Sequence, residues 1–403
     1  MDNLIVMKFG GSSVATPGKI KNVADRVTQK AKKNRVVVVV SAPGDMTDDL
    51  IEKAKSIAET PDPREMDMLL ATGEIQSIAL LTIAIKSKGF NAISLTGPQA
   101  GIFADNVHTK AKIKKIKPKK ILDELKKDKI VIVAGFQGIN SNDDITTLGR
   151  GGSDLTAVAL AASLKAAECE IYTDVKGVYT ADPRVVNDAK RLDMLSYDEM
   201  LELAGVGSQV MMSRSIEVAK KYNVVIHVRS SFSDEKGTLI RKEVPKMENV
   251  VVSGVAFDKN ESKLSITDVP DRPGIAAKIF GALAKKNINV DMIIQSAASE
   301  KYNDISFTVS KNDLKTAVAL LKNISKKLGG GAVIFDENVA KVSIVGIGMR
   351  SHPGVASKMF KILADNGINI QMISTSEIKI SCVISNRDAD KAVRVLHGGF
   401  GLG

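Results

Sequence analysis

The sequence contains no tryptophan, and aromatic residues make up only 4% of its 403 positions. Its core must therefore be built from Val, Ile, Leu, Ala and Met. It has just two cysteines, Cys169 and Cys382, far apart and outside any CxxC or Cys/His cluster. That excludes a disulfide framework and a structural zinc site, and it suits a reduced, cytoplasmic protein. No apolar stretch reaches about 18 residues, so no membrane-spanning segment is expected. The chain starts Met-Asp-Asn and runs into a strand-length apolar segment, so no secretory signal is expected either.

What is abundant is positive charge: 57 Lys and Arg against 46 Asp and Glu, a net +11. Much of the excess lies in "KAKIKKIKPKK" (110–120). The run lacks interleaved aromatics that would stack bases, and no nucleic-acid module signature accompanies it. It is read as a solvated basic face, with a polyanion patch as the alternative, and no nucleic-acid partner is expected.

The length implies two or three domains. Over the first ~240 residues, strand-like runs such as "RVVVVVS" (35–41), "NAISLTG" (91–97), "KIVIVAGFQG" (129–138), "CEIYTDV" (169–175) and "NVVIHVRS" (223–230) alternate with helical stretches at 74–89 and 153–168. Alternation of this kind predicts an α/β fold, a mostly parallel sheet sandwiched by helices, with ligands bound beyond the carboxyl ends of the strands. The remaining ~150 residues carry an internal repeat, 263–296 against 341–376. Each copy reads strand, Pro-Gly turn, amphipathic helix, Asn-containing turn, strand. Two copies predict a pair of small α+β modules.

Three glycine-rich turns fall at strand ends: Gly10-Gly11-Ser12-Ser13, Ser41-Ala42-Pro43-Gly44-Asp45 and "TTLGRGGSDLTA" (146–157). None matches a P-loop or a dinucleotide fingerprint. Each could be a tight turn and nothing more; each could also bring backbone amides close to a phosphate. Lys8, between a strand and Gly10-Gly11, suits a transferring phosphoryl group as a point charge. Arg150 and Ser153 flank Gly151 and Gly152, where Arg150 could hold a carboxylate bidentately. Asp154 could cap the helix that follows, orient Lys8 or bind magnesium. Glu74, after a Thr-Gly break at an expected helix start, either favours the helix dipole or meets an ammonium group. The loop "TDVKGVYTADPR" (173–184) gathers Asp174, Tyr179, Asp182 and Arg184, which suits a nucleotide, although Asp182-Pro183 could be an ordinary turn.

In this order, "KFGGSS", "VVSAPGDMTDDL", "REMDMLLATGE", "TTLGRGGSD", "TDVKGVYTADPR" and the tandem Pro-Gly repeat resemble the aspartate kinases of the monofunctional bacterial type, over essentially the whole chain. The resemblance implies an amino-acid-kinase domain at 1–245 followed by two ferredoxin-like ACT domains at 246–330 and 331–403. It implies that ATP with Mg2+ phosphorylates the side-chain carboxylate of L-aspartate, an early step towards lysine, threonine, methionine and diaminopimelate. By motif, Lys8 would neutralise the transferring phosphoryl, with Asp154 positioning it. Arg150 would clamp the α-carboxylate and Glu74 the ammonium, and Ser41, Thr47, Gly151, Gly152 and Ser153 would contact the substrate. Phe9, Gly10, Gly11, Thr173, Asp174, Tyr179, Asp182 and Arg184 would join Lys8 and Ser41 around the nucleotide. The acceptor carboxylate is already ionised at neutral pH, so no general base is needed and no metal cage of protein ligands is expected. The four histidines (108, 227, 352, 397) fall in none of these stretches.

ACT modules bind amino acids where two of them meet. The resemblance places one effector site at Asp271, Gly274, Ile275, Ala276, Asn289 and Gln295, and another at His352, Val355, Asn369, Ser374 and Thr375. It implies lysine, threonine or both as inhibitors and a homo-oligomer formed through the ACT domains. It also implies that the strand at 249–257 pairs with the second module. In "GVGSQVMMSRS" (205–215), Gln209 stands where some relatives carry lysine, so it is left out of the ATP site, and Arg214 is read as structural. A different amino-acid kinase, or a non-catalytic amino-acid sensor, is the alternative.

Overall fold

The computed structural model describes residues 3–205, 211–242, 251–299 and 301–403. Gln209 lies outside the described residues. The chain divides into two compact units: Met1–Val178 with Arg191–Ala204 and Gln209–Pro245, and Tyr179–Lys190 with Gly205–Ser208 and Lys246–Gly403.

The first unit is built on an eight-stranded sheet in the order Met194–Ser196, Thr238–Arg241, Ile226–Ser230, Glu168–Thr173, Leu4–Phe9, Arg35–Val40, Ile130–Ala134, Ala92–Leu95. Its six central and far-edge strands run parallel; Thr238–Arg241 is antiparallel to Ile226–Ser230 and parallel to Met194–Ser196. Val36 to Val40 are all buried, as a strand covered on both faces requires. The core joins Met7, Phe9, Val38, Val40 and Ile132 to Val23 and Val27 of helix Pro17–Ala31 and to Ile78, Leu81 and Ile85 of helix Pro63–Ser87. The expected strand at 129–138 is two strands, Ile130–Ala134 and Gln137–Ile139, because Phe136 turns the chain at φ 66°. The second joins a smaller four-stranded sheet with Ile145–Thr147, Ile102–Ala104 and Ile113–Ile116.

Helix Pro63–Ser87 corrects two expectations. Its 25 residues begin at a cap, where Asp62 accepts from the Arg64 and Glu65 amides, and it runs without a break through Thr72 and Gly73. Glu74 therefore sits in mid-helix and not at a helix start. Gly73 is there for close approach: a Cβ on it would stand 2.6 Å from that of Ala42. The helix is also long and apolar enough to cross a membrane by length and composition, with a mean hydropathy of 1.7 over 18 residues. Half of that window is buried, against the sheet, so it is placed as a core helix.

The second unit is one antiparallel six-stranded sheet, Ile293–Ser299, Tyr302–Ser310, Gly254–Pro270, Val333–Val345, Lys379–Ser385, Ile370–Thr375. Helices Ile275–Lys285, Leu314–Leu328, Val355–Asp365 and Ala389–Gly399 pack on it. The repeat is structural as well as sequential, with Gly274 and Gly354 at φ 91° and 93° before equivalent helices. The two modules exchange strand segments. Gly254–Phe257 pairs with Val342–Val345, while Lys263–Ile266 pairs with Val333–Asp336. Each copy thus completes its sheet with a piece of chain adjoining the other. Segment Tyr179–Lys190 belongs here too: Ala181 and Val186 are buried beside Met359, Leu363 and Leu396, and Thr180 Oγ1 lies 2.9 Å from His397 Nε2.

Candidate active site

Leu4–Phe9 lies between Glu168–Thr173 and Arg35–Val40, so the chain leaves the middle of the sheet in both directions. In sheets of this kind ligands bind beyond the carboxyl ends of the strands at such a switch point. The glycine turns meet there through backbone hydrogen bonds. Gly10 donates to Tyr172 O (3.3 Å), Ser41 to Phe9 O (3.1 Å), Gly44 to Gly11 O (3.0 Å), Gly135 to Val40 O (3.0 Å) and Ser231 to Thr173 O (2.8 Å). A Cβ on Gly11 would fall 2.7 Å from Ala42 O, so the first two turns interlock only because that residue is glycine.

Lys8 Nζ stands 2.7 Å from Asp154 Oδ1, with both side chains about nine-tenths buried. Asp154 lies in the first turn of helix Gly152–Leu164, which has no side-chain cap; its carboxylate is turned to Lys8 instead. Ser153 packs against Gly135, at the end of Ile130–Ala134. Glu74 is 2% exposed. Its Oε1 accepts from the Ala42 amide at 2.9 Å, and its Oε2 has no hydrogen-bond partner among the described residues. Burial pushes its carboxyl up to about 7, against the pull of the Ala42 N–H. A buried carboxylate oxygen left open in this way is a costly feature unless a cation meets it. Arg150, in contrast, is 90% exposed on its side chain, with Asp48 at 3.5 Å beside it. Asp48 belongs to helix Met46–Ile57, next to Thr47, so Arg150 stands beside the Ser41–Asp45 turn.

The remaining expected residues divide. Thr173 and Asp174 end Glu168–Thr173 in the first unit, hydrogen-bonded to each other at 3.0 Å. Tyr179, Asp182 and Arg184 belong to the second unit. Asp182 accepts from both Nε and Nη2 of Arg184, and this pairing holds its carboxyl below the usual range. Phe9 is fully buried, stacked on Tyr172 at 4.6 Å between centroids, so its ring belongs to the core.

Three positions were not singled out from the sequence. Asp67 is fully buried in helix Pro63–Ser87 and accepts from the Thr109 amide and Thr147 Oγ1, with His108 Nδ1 at 2.7 Å. It thereby anchors the strand that leads into Arg150–Asp154. An acid in an apolar helical stretch was the available signal. Ser13 and Ser231, 2.6 Å apart, join the first turn to the one after Ile226–Ser230. Arg214 donates to Leu148 O and Ala111 O, the structural role expected of it.

Residues 3–230 match the model of the amino acid kinase family, and 267–324 and 342–400 match that of the ACT domain. The chain is 51% identical to an aspartate kinase of Stutzerimonas stutzeri over 99% of its length and 97% of that protein's. It is 52% identical to an aspartokinase of Pseudomonas aeruginosa, over 99% and 98%. The chain belongs to the aspartokinase family.

It is an aspartate kinase, a phosphotransferase with a carboxylate acceptor, and it uses a nucleotide. Its fold is likewise that of E. coli aspartokinase III solved with aspartate and ADP, at 26% identity and a TM-score of 0.85, covering 98% of this chain and 99% of that one. The lysine and aspartate complex of the same E. coli protein matches with a TM-score of 0.76 at 27% identity, covering 99% of each chain.

The first ACT module of this aspartokinase holds a pocket at an expected effector site. It is lined by Asp271, Gly274, Ile275, Ala276 and Gln295, together with Arg272 and Asn303 among others. Asn289, the sixth residue expected there, is exposed and does not line it. At the second site Val355 starts its helix and Ser374 and Thr375 end their strand, while His352 Nδ1 lies 2.8 Å from Gly348 O. Asn369 is exposed. Among the described residues one cluster, Glu168, Glu170 and His227, has the spacing of a metal site. Glu170 is already met by Lys30 at 2.7 Å and Arg229 at 3.3 Å, so the group is an internal ion-pair network.

Proposed function

We propose that the crevice at the end of Leu4–Phe9 holds aspartate against the terminal phosphoryl of ATP, with Lys8 as the charge that the moving phosphoryl meets. The observation that carries this reading is the Lys8–Asp154 pair, an ammonium kept out of water yet tied to a single carboxylate at the carboxyl edge of the central strand. Asp154 orients Lys8. Arg150 receives the α-carboxylate and the open Oε2 of Glu74 receives the ammonium, which leaves the substrate's side-chain carboxylate as the nucleophile. Ser41, Thr47, Gly151, Gly152 and Ser153 complete the substrate's surroundings. Phosphoryl transfer then needs positioning and charge neutralisation, not proton abstraction. Gly10, Gly11, Thr173, Asp174, Tyr179, Asp182 and Arg184 serve the nucleotide. The donor set fits magnesium carried in on ATP: the one carboxylate paired with Lys8 is no cage, and Mg2+ bound by phosphates supplies charge neutralisation there.

The kinase domain is taken as 1–245, followed by ACT domains at 246–330 and 331–403, in a cytoplasmic enzyme that pairs through those modules. Lysine, threonine or both inhibit it at the two ACT sites, the first lined by Asp271 and Gln295. A coupled ADP-release assay with a panel of amino acids tests the reading. Turnover is expected with L-aspartate alone and is expected to fall when lysine and threonine are added singly or together. Turnover with glutamate or acetylglutamate but not aspartate would overturn the substrate assignment. Normal kcat in Lys8→Ala would overturn the role of Lys8.

A further inference from the structure

His397 lies outside every kinase motif in the sequence, and the structure brings it into one. It sits in helix Ala389–Gly399 at 1% exposure, on a buried face otherwise made of Ala389, Ala392, Val393 and Leu396. Packing alone would be served by another apolar side chain there, whereas a buried imidazole has to be met by a polar partner. That partner is Thr180, whose Oγ1 lies 2.9 Å from Nε2. Thr180 also closes the base of its own loop. Its amide donates to Lys190 O (2.9 Å), the Lys190 amide donates to its Oγ1 (3.0 Å), and its carbonyl accepts from the Val255 amide (2.7 Å). Ala181 and Val186, within the loop, are seated in the same core as Leu396, while Pro183 and Arg184 at its tip are exposed. Burial lowers the imidazole pKa and keeps the ring neutral. Because the Lys190 amide takes one lone pair of the Thr180 hydroxyl, the hydroxyl proton is free for Nε2. The Nδ1–H of that tautomer then faces Asp188 at 3.8 Å.

We propose, resting on the reading of this loop as the nucleotide's, that His397 is a positioning residue for ATP. Through the Thr180 hydroxyl it holds the base of the loop that presents Tyr179, Asp182 and Arg184. A loop free to pivot at its base loses binding energy to ordering when the ligand arrives, and a loop held there beforehand does not. Cutting the contact therefore weakens ATP binding and leaves Lys8, Glu74 and the aspartate side untouched. A contact that acts equally on the bound substrate and the transition state shows in KM and not in kcat.

Steady-state kinetics of the full chain, with ATP and aspartate varied in turn, test the proposal. His397→Leu is expected to raise KM for ATP about tenfold, with kcat and KM for aspartate changed by less than about twofold. His397→Gln can still accept the hydroxyl proton and is expected to keep KM for ATP within about threefold of wild type. Thr180→Val is expected to raise KM for ATP as His397→Leu does. The double variant H397L/T180V is expected to be no worse than the worse single one, because both remove the same bond. An unchanged KM for ATP in His397→Leu overturns the proposal, as does a glutamine variant no better than the leucine one. A rise in both KM values with a fall in kcat, the result if His397 serves only the core, overturns it too. Arg184→Ala tests the nucleotide reading separately. If it raises KM for ATP and His397→Leu does not, the reading stands and the positioning role falls; if neither variant raises it, both fall.

Discussion

Each compact unit takes a lysine out of water, and the two are held in opposite ways. Among the described residues Lys8 has one carboxylate partner, Asp154, and it sits at a strand end where glycine turns converge. Lys341 is 2% exposed on the face of the ACT sheet and has two carboxylates, Glu261 at 2.9 Å and Asp291. Burial works against its charge, but Glu261 and Asp291 outweigh that and hold the ammonium above its ordinary value. Lys263, its equivalent in the first copy, reaches the neutral Gln371 at 3.5 Å. A lysine with its valences filled on all sides is part of the fold. One left with a single carboxylate beside an open crevice can act on a ligand. Burial alone does not separate the two; the number of partners does.

The sharpest way to break this contrast is to remove each lysine in turn. Lys8→Ala is expected to lower kcat about a hundredfold to a thousandfold, the cost of losing one preorganised transition-state charge, and to lower Tm as well, because Asp154 is left about nine-tenths buried without its countercharge. If Tm collapsed while kcat survived, Lys8 would be a structural lysine like Lys341. Lys341→Met leaves Glu261 buried without a countercharge, and it is expected to destabilise the second unit by about 3 kcal/mol in urea unfolding. Asp291 is partly exposed and will rehydrate, which keeps the loss at the low end of the range for buried pairs. The triple variant K341M/E261Q/D291N is expected to recover most of that loss. No recovery would mean that packing, not charge, holds the junction.

Arg150, proposed above as the carboxylate clamp, comes next. Arg150→Lys is expected to raise KM for aspartate about tenfold with kcat nearly unchanged, since an ammonium cannot reproduce a bidentate grip. A fall in kcat instead would bring Arg150 into the transition state beside Lys8.

Glu74 gives a smaller, pH-dependent test. With its carboxyl pushed up to about 7, the free enzyme carries a proton there below that pH. An aspartate ammonium bound at Glu74, as proposed above, needs the ionised form, so KM is expected to rise as pH falls below 7 and to flatten above it. Glu74→Gln is expected to hold KM high at every pH. The sign for stability is opposite. A raised carboxyl pKa means that the neutral group stabilises the unliganded fold, fully below about 4.5, and that this contribution is lost as pH rises through about 7. Thermal melts without aspartate are therefore expected to soften over that window, and melts with saturating aspartate to soften less. Smallest of all, Asp182→Asn breaks an exposed pair with Arg184 and is expected to cost less than about 1 kcal/mol of stability. Its value lies in KM for ATP, which rises only if this loop serves the nucleotide.

Much of this was legible in one dimension because its causes are local. Five consecutive valines could only be a strand covered on both faces. Glycines after strands marked the turns of a switch point, and the repeat announced two modules. The order of six motifs was enough to recognise the kinase. The failures share a cause as well. A Thr-Gly pair reads as a helix break until Ala42 is seen pressed against Gly73. Asp67 drew no reading from the sequence, because the groups that close on it, Thr109 and Thr147, come from other elements.

The sequence by itself determined the strand and helix alternation, the two-fold repeat and which lysine stood beside glycines, since these rest on periodicity and spacing within short windows. Only the tertiary structure decided that Lys341 meets Glu261 and Asp291, that Glu74 keeps one oxygen open, and that Asp67 closes on Thr109 and Thr147. Those outcomes depend on groups far apart in the chain reaching one place with a particular orientation. Composition carries no record of that.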